Sequence, residues 1–312
     1  MIEIEGKKRI RLVRAVASAI FFISCAVHYD LKLPDKLLQQ KINIIDRAAK
    51  SNGAAFPKQK ILIYITTHMS LLHIWYLQAC WPDALDHSSL LRNADVMVHM
   101  TTPEEFQGVV AAEPLVDLLR GTFAGQNITV HVRKHVAGRD TMVGIEHEKK
   151  QNGAMAALID AAKNKWFHGY DWVIRLNPDV IVRNDTFILE TIQDPSVTAL
   201  LVDCYHDPKH LVTNPDEYSK IHTDFFAIKP SALPHDAFLV PKTKNAEKSF
   251  TEDIRDSILK VGGHRFIPGA EPLTPGFCKL GFGRTLDMLG DTPITHWEPQ
   301  GVPDSLICPI PF

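Results

Sequence analysis

The chain has 312 residues, 45% of them apolar, which is long enough to bury the core of one large α/β domain or two smaller ones. It carries 34 basic and 36 acidic residues, so it lacks the excess of positive charge that nucleic-acid binding requires. We therefore expect no nucleic-acid partner, and any anionic ligand must be held by a local site.

The first residues combine a basic flank with a short apolar run. Lys and Arg side chains between residues 7 and 14 precede a segment that is uncharged from Ala15 to Val27, a pattern typical of membrane targeting. The run is short for a bilayer-spanning helix, so a cleaved signal peptide and a buried amphipathic helix are alternatives to a signal anchor. As an anchor, it would place residues 28–312 on the luminal side by the positive-inside rule.

The anchor interpretation also predicts the domain organisation. Residues 1–14 would be a cytoplasmic basic tail, 15–32 the anchor and its flank, 33–58 a stem, and 59–312 the main domain. The stem contains a helical pattern followed by the loop "SNGAAFPKQK", which is rich in breakers. The cysteines outside the apolar run have no metal-binding spacing, and they could form two disulfides in an oxidising compartment or remain buried thiols.

From residue 59 onward, strand patterns alternate with helical patterns. The predicted strands are "ILIYITTHMS", "ADVMVHMT", "NITVHVRK", "DWVIRL", "TALLVDC" and "HTDFFAIKP". Helices are predicted after the first strand, at about 103–120 and 148–165, and within "VPKTKNAEKSFTEDIRDSILKVGG". This alternation predicts an α/β fold with a mostly parallel sheet flanked by helices. The last third is rich in Pro and Gly, which indicates loops that close over a site.

The strand pattern of "DWVIRLNPDVIVRND" is interrupted by Asn177, Pro178 and Asp179, residue types that strands avoid. Ligands of open α/β sheets lie beyond the carboxyl ends of the strands, so this interruption would place an amide oxygen and a carboxylate at the mouth of the crevice. Such oxygens suit Mn²⁺ or Mg²⁺ together with phosphate. An Asx turn at a strand end is the structural alternative.

This segment resembles the strand–DxD–strand motif of GT-A glycosyltransferases, which holds a metal ion on the diphosphate of a nucleotide sugar. Asn177 stands where the first Asp is usual, and Asp179 keeps the second position. The resemblance implies a GT-A, Rossmann-like fold with an irregular acceptor side at the C-terminus. It also implies Mn²⁺ (or Mg²⁺) as the cofactor, with Asp179 and Asn177 as metal ligands and Arg175 in the cofactor-binding set.

Three later segments follow in the order expected for this family. "HTDFFAIKP" resembles the strand and loop that help to shape the donor and acceptor pockets, and "FTEDIRDSI" resembles the xED motif, with Glu252 and Asp253 expected to open a helix. The resemblance implies that Asp253, with Glu252 beside it, accepts the proton of the acceptor hydroxyl; capping of the helix is the alternative. In "ITHWEP", His296 stands where these enzymes often carry a metal-binding histidine.

Other residues near the ends of predicted elements are candidates for binding the donor nucleotide: Thr66, Thr67, His68, Asp95 and Lys150. The first three follow the first strand, where the loop of a Rossmann-like fold meets the nucleotide. Capping of the next helix by Thr67 or Ser70 is the alternative there. The lysine would offset diphosphate charge.

These features together predict a hexosyl- or pentosyltransferase that moves a sugar from a nucleotide-sugar donor to a hydroxyl of a glycan or glycoprotein, with inversion. The expected location is the Golgi or endoplasmic reticulum membrane, single-pass type II, with a luminal catalytic domain. Asn177 leaves open an inactive GT-A-fold protein that binds a glycan or a partner. A nucleotidyltransferase is a weaker alternative, because it usually needs a Gly-rich basic phosphate loop that "YITTHMSLL" lacks.

Overall fold

The computed structural model describes residues 59–103, 112–135, 147–202, 221–243, 245–267 and 293–296. All of them belong to one compact unit, Phe56–Phe312. The tail, anchor and stem predicted for residues 1–58 lie outside the described residues.

The secondary structure alternates between strands and helices, as the sequence predicts. The strands are β1 (Ile61–Thr67), β2 (Asp95–Pro103), β3 (Ile128–His135), β4 (Trp172–Leu176), β5 (Val180–Val182), β6 (Ala199–Leu201), β7 (Phe225–Ile228), β8 (His264–Phe266) and β9 (Ile294–His296). The helices are α1 (Leu71–Ala79), α2 (Trp81–His87), α3 (Ser89–Asn93), α4 (Ala112–Thr122), α5 (His147–Lys163), α6 (Thr186–Gln193) and α7 (Ala246–Ile254). A 3-10 turn at Pro230–Ala232 follows β7, and a π-helical turn at Arg255–Leu259 follows α7.

Within the described residues, seven strands form one sheet in the order β3-β2-β1-β4-β7-β6-β8. Strands β1 to β4 are mutually parallel, β7 runs antiparallel to both β4 and β6, and β8 is parallel to β6. The sheet is therefore mostly parallel, as predicted. The chain builds outward from β1 through β2 to β3 and then returns to place β4 on the other side of β1, which makes the β1–β4 border the topological switch point. Strands β5 and β9 form a separate antiparallel ribbon.

The sheet is buried on both faces, and successive residues of β1 pack in different cores. Ile63 and Ile65 pack in one core with side chains of α1, α2 and α4, whereas Leu62 and Tyr64 pack in the other with side chains of α5 and α7. Burial on both faces explains why the strand sequences are continuous apolar runs.

The start of α7 differs from the sequence prediction. Asn245 caps this helix, since its side-chain oxygen accepts a hydrogen bond from the Lys248 backbone N–H, and the helix begins at Ala246. Glu252 and Asp253 therefore lie in its last turn, so the prediction that they open a helix is wrong, and N-terminal capping by them is excluded. A strong N-cap residue decided the boundary.

The predicted membrane location is also wrong. No helix in the described part of the chain combines the length and the apolar character needed to cross a bilayer; the longest, α5, has 17 residues and several Lys and acidic side chains, against roughly 20 apolar residues for a span. The segment on which the prediction rested, residues 15–32, lies outside the described residues.

Cys80 at the end of α1 is disulfide-bonded. The other cysteines of the sequence all lie outside the described residues. The alternative in which every cysteine remains a buried thiol is therefore wrong, and the pairing stays open.

Candidate metal centre and active site

Three strand ends converge at the switch point. Thr66 lies at the carboxyl end of β1, and Asn177 follows β4, the parallel neighbour of β1. Because β7 runs antiparallel to β4 and pairs Phe225 with Leu176, its amino end lies at the same edge of the sheet. Asp224, which directly precedes β7, is therefore brought beside Asn177.

The β5–β9 ribbon adds a histidine to this edge. After β4 the chain turns, with the Val180 N–H donating to the Asn177 carbonyl at 3.0 Å. The Trp81 indole N–H donates to the Pro178 carbonyl at 2.8 Å and so holds the turn. β9 then pairs His296 with Val180, the residue after Asp179. The Asn-Pro-Asp segment is thus both a turn and the support of the site.

The result is a chain of imidazole and carboxylate groups. Asp179 contacts His73 through Oδ1 (3.6 Å to Nε2) and His296 through Oδ2 (3.3 Å to Nε2). His296 Nε2 lies 3.6 Å from Asp224 Oδ2, which lies 3.8 Å from His222 Nδ1. All five residues are buried except Asp224, whose side chain is 21% exposed. The cluster therefore reaches solvent at Asp224.

Asp179 stays ionised inside the protein. Burial acts to raise the pKa of its carboxyl group, but His296 and His73 outweigh burial and hold the pKa well below its usual range. Among the described residues, its Oδ1 atom is buried without a hydrogen bond. This oxygen faces His73 Nε2 at 3.6 Å, and a buried carboxylate of this kind is stabilised by positive charge nearby, from a protonated histidine or from a bound cation.

The donor set fits a divalent transition metal ion. His222, Asp224 and His296 each offer one nitrogen or oxygen atom, and these atoms lie within 4.8 Å of one another. Asp179 adds a carboxylate next to His296. Imidazole and carboxylate together suit Mn²⁺ better than Ca²⁺, which prefers oxygen ligands alone.

His73 is oriented by the loop between β1 and α1. Ser70 caps α1 by accepting the His73 backbone N–H at 3.2 Å, which confirms the capping alternative. The Thr67 hydroxyl lies 2.9 Å from His73 Nδ1, so Nε2 is left to face Asp179. The His68 ring lies 4.3 Å from the His73 ring. Thr67 thus acts on the cluster through His73, as outer-shell partners of metal-binding histidines do.

A buried arginine lies beneath the cluster. Arg175 is 1% exposed; it donates to the Thr66 hydroxyl at 2.6 Å and to Asn177 Oδ1 at 3.3 Å, and its Nη1 lies 3.8 Å from Asp224. Burial lowers the pKa of Arg175, and the carboxylates of Asp224 and Glu247 oppose that effect. Arg175 and Asn177, both predicted from the sequence to bind cofactor, therefore support Asp224.

Asp253, which the family resemblance implies as the general base, lies away from the cluster. Asp253 is 8% exposed and lines a mainly apolar cavity between α5, α7 and residues 238–241. Burial raises its pKa to about 6, against the opposing effects of the Lys242 ammonium at 3.9 Å and of the Phe238 backbone N–H. Glu252 pairs with Arg255 at the surface. Among the described residues, neither carboxylate interacts with the cluster.

A different face of α7 points toward the site. Thr251 accepts the backbone N–H of Ile221, the residue before His222, at 2.9 Å. Glu247 lies one turn earlier on the same face, and its charge acts on Arg175. The face toward α5 carries Asp253 instead. Glu247 therefore lies on the face of α7 that contacts the segment before His222, whereas Asp253 lies on the face toward α5.

Of two further predicted residues, Asp95 lies away from the cluster, and the side chain of Lys150 is not among those described. Asp95 is the first residue of β2, and His99 of that strand pairs with Thr66. Asp95 is thus four residues, about 13 Å, from the level of Thr66, and it accepts a hydrogen bond from the Tyr170 hydroxyl at 3.0 Å. Lys150 lies in the first turn of α5, and its side chain is outside the described part.

Sequence reasoning missed His73, His222 and Asp224. The last two stand at the start of the predicted strand "HTDFFAIKP" and directly before the observed β7, and a residue at the start of a strand lies at the carboxyl edge of the sheet only if that strand is antiparallel. His73 has no sequence signal apart from its position near the first strand.

The chain was compared with known proteins. No family model matches the sequence, and no curated protein matches it. Solved structures that are similar include the WbbM bifunctional glycosyltransferase in apo form, with 14% identity, 80% of this chain and 48% of that chain covered, and a TM-score of 0.44. Mouse xyloside xylosyltransferase 1 in apo form is 10% identical, with 67% of this chain and 84% of that chain covered and a TM-score of 0.37. Core-mannan synthase A from Aspergillus fumigatus in its Mn/GDP form is 10% identical, with 73% of this chain and 82% of that chain covered and a TM-score of 0.41.

These structures are all glycosyltransferases. The chain spans about half the length of the first of them, 48%. The predicted fold class, a mostly parallel α/β sheet flanked by helices, is confirmed by the strand order and by the helices on both faces. No particular family is assigned.

Proposed function

We propose that this protein is a glycosyltransferase that moves a sugar from a nucleotide-sugar donor to a hydroxyl group of a glycan or glycoprotein. The observation that carries the proposal is the buried cluster of Asp179, His296, Asp224, His222 and His73 at the carboxyl ends of β1 and β4. The switch point of an open α/β sheet is where such folds bind nucleotides.

The cluster offers ligands for the divalent metal ion that binds with a nucleoside diphosphate. His222, Asp224 and His296, with Asp179 beside His296, would hold Mn²⁺ (or Mg²⁺), and such an ion, when bound, stabilises the negative charge of a departing diphosphate. Thr67 keeps His73 Nε2 directed at Asp179, and Arg175 keeps Asp224 in place from below. The protein residues thus fix the geometry before substrate arrives.

The transfer itself is a displacement at the anomeric carbon. The acceptor oxygen bonds to that carbon while the bond from the carbon to the diphosphate oxygen breaks, and the nucleoside diphosphate leaves with the electron pair. The acceptor proton passes to a carboxylate. Direct displacement of this kind inverts the anomeric configuration.

Turnover with a panel of nucleotide sugars tests the proposal. We expect hydrolysis or transfer with at least one UDP- or GDP-sugar in the presence of Mn²⁺, and loss of that turnover in EDTA. An absence of turnover with every donor and acceptor, in a protein that still binds a glycan, would support the inactive binding protein instead.

The proton acceptor is testable with two matched variants on α7. We propose Glu247 for this role, because its face of the helix is turned toward the site, in place of Asp253. Glu247→Gln should slow transfer by at least about a hundredfold, the lower bound for a lost base, whereas Asp253→Asn should change it by only a few fold. The reverse pattern in steady-state rates would restore Asp253 as the base.

Asp253→Asn should instead change stability with pH. The folded-state pKa of Asp253, about 6, lies above its usual value of 3.8, so the folded protein favours the protonated form and loses stability as the pH rises from about 4 to 6. Removing the charge should add about 1–3 kcal/mol to the free energy of unfolding near pH 7.5, from about two pKa units, and nothing near pH 4. Denaturant unfolding at both pH values measures this. Asp256→Asn, an exposed neighbour, is the control and should give no gain; an equal effect at both pH values would contradict the assignment.

A further inference from the structure

The side chain of Asn177 is hydrogen-bonded to three neighbouring residues. Its Oδ1 atom accepts hydrogen bonds from the Thr66 hydroxyl at 2.8 Å and from Arg175 at 3.3 Å. Its Nδ2 atom donates to Asp224 Oδ1 at 2.7 Å. Arg175 also donates to Thr66. The hydrogen bonds therefore form a chain in which each residue donates to the next, in the order Arg175, Thr66, Asn177 and Asp224. The oxygen of Asn177 is directed into this chain rather than toward the histidines.

Asp224 uses its two oxygen atoms differently. Oδ1 is held by Asn177 and faces the Arg175 guanidinium. Oδ2 faces His296 Nε2 at 3.6 Å and His222 Nδ1 at 3.8 Å. His222 Nδ1 itself accepts the backbone N–H of Asp224 at 3.0 Å. One oxygen of Asp224 is therefore fixed by hydrogen bonding, and the other is presented to His296 Nε2.

We propose that Asp224 supplies the second carboxylate of the metal centre, and that Asn177 is a positioning residue that directs Asp224 Oδ2 toward the ion. The inference rests on the proposed metal-dependent function and deepens it. One metal-binding carboxylate is thus assigned to Asp224, directly before the antiparallel strand β7, and not to residue 177 of the Asn-Pro-Asp turn. Asn177 accordingly does not weaken the metal site.

Electrostatics explains why an amide stands at position 177. An aspartate there would place a carboxylate oxygen about as close to Asp224 Oδ1 as the present amide nitrogen, and two adjacent carboxylates repel each other. An amide accepts from Thr66 and Arg175 and also donates to Asp224, which a carboxylate cannot do. The amide at 177 and the carboxylate at 224 therefore form a matched pair.

A reciprocal exchange separates this arrangement from direct metal binding by residue 177. In Asn177→Asp/Asp224→Asn, residue 177 can accept from Thr66, from Arg175 and from the new amide at 224, so the hydrogen bonds and the net charge are restored. We expect its melting temperature to recover most of what either single variant loses. Its affinity for Mn²⁺ should nevertheless stay at least about tenfold below that of the wild type, because the carboxylate no longer faces the histidines.

Calorimetric titration with Mn²⁺, in the presence of UDP or GDP, measures these affinities. Asp224→Asn should weaken Mn²⁺ binding by at least about a hundredfold and Asn177→Ala by about 10–100-fold, the range for outer-shell partners. Asp160→Asn is the matched control, since Asp160 contacts a histidine and an arginine away from the cluster, and it should bind Mn²⁺ as the wild type does.

Wild-type affinity in Asp224→Asn, or in the exchanged protein, would overturn the inference while leaving the proposed function intact. Failure of the wild-type protein to bind Mn²⁺ with either nucleotide would instead count against the metal-dependent function itself. If the exchanged protein does not fold, the two single variants decide the question.

Discussion

Replacing Asp179 by Ala is expected to abolish Mn²⁺-dependent binding of UDP or GDP. Asp179 is the carboxylate held ionised between His73 and His296, and no hydrogen bond to its buried Oδ1 atom comes from the described part of the chain. Loss of its charge should weaken binding by more than about a hundredfold, equivalent to about 2.7 kcal/mol. Titration calorimetry with each nucleotide, with and without Mn²⁺, measures the change.

Asp179→Asn controls for side-chain volume, since it keeps the shape but not the charge, and it should lose binding as well. Asp160→Ala removes a carboxylate that contacts His99 and Arg133, and should bind normally. Unchanged affinity in a folded Asp179→Ala protein would leave the Asn-Pro-Asp segment as a turn alone.

Replacing Arg175 by Met should cost about 3–5 kcal/mol of stability. Arg175 is buried, donates to Thr66 and Asn177, and its Nη1 lies 3.8 Å from Asp224. Removing one partner of a buried ion pair leaves the other charge uncompensated, and this penalty exceeds the value of the pair itself. Urea unfolding of the metal-free protein gives the change directly.

Arg133→Met is the matched control. Arg133 also pairs with an aspartate, Asp160, but its side chain is about half exposed, at 46%, so its loss should cost less than about 1 kcal/mol. Equal effects of the two substitutions would contradict the view that Arg175 balances the charge of the cluster. Mn²⁺ should restore part of the stability lost in Arg175→Met, because it supplies positive charge to the same carboxylates.

The strands were predictable because burial on both faces leaves an unambiguous apolar pattern. "ILIYITT" forms β1, and the interruption at Asn177 and Asp179 separates β4 from β5, as expected. The start of α7 was not predictable from the xED resemblance, because Asn245 provides a stronger local signal for a helix start. Motif resemblance and helix capping gave different boundaries, and capping was correct.

The site was only partly readable from the sequence. Asp179 and His296 were predicted as metal ligands and the fold places them 3.3 Å apart. Asp224 depends on the antiparallel direction of β7, a tertiary property that no local pattern encodes. The sequence alone argues against Asp95 as a site residue, because the first residue of a parallel strand lies at the edge of the sheet opposite the carboxyl ends.

Anomalous diffraction from crystals grown with Mn²⁺ and UDP or GDP tests the central claim most directly. The account places one manganese peak at the cluster of His222, Asp224, His296 and Asp179, next to the nucleotide diphosphate and above the carboxyl ends of β1 and β4. A nucleotide-bound crystal with its manganese peak elsewhere, or with none at this cluster, would contradict it.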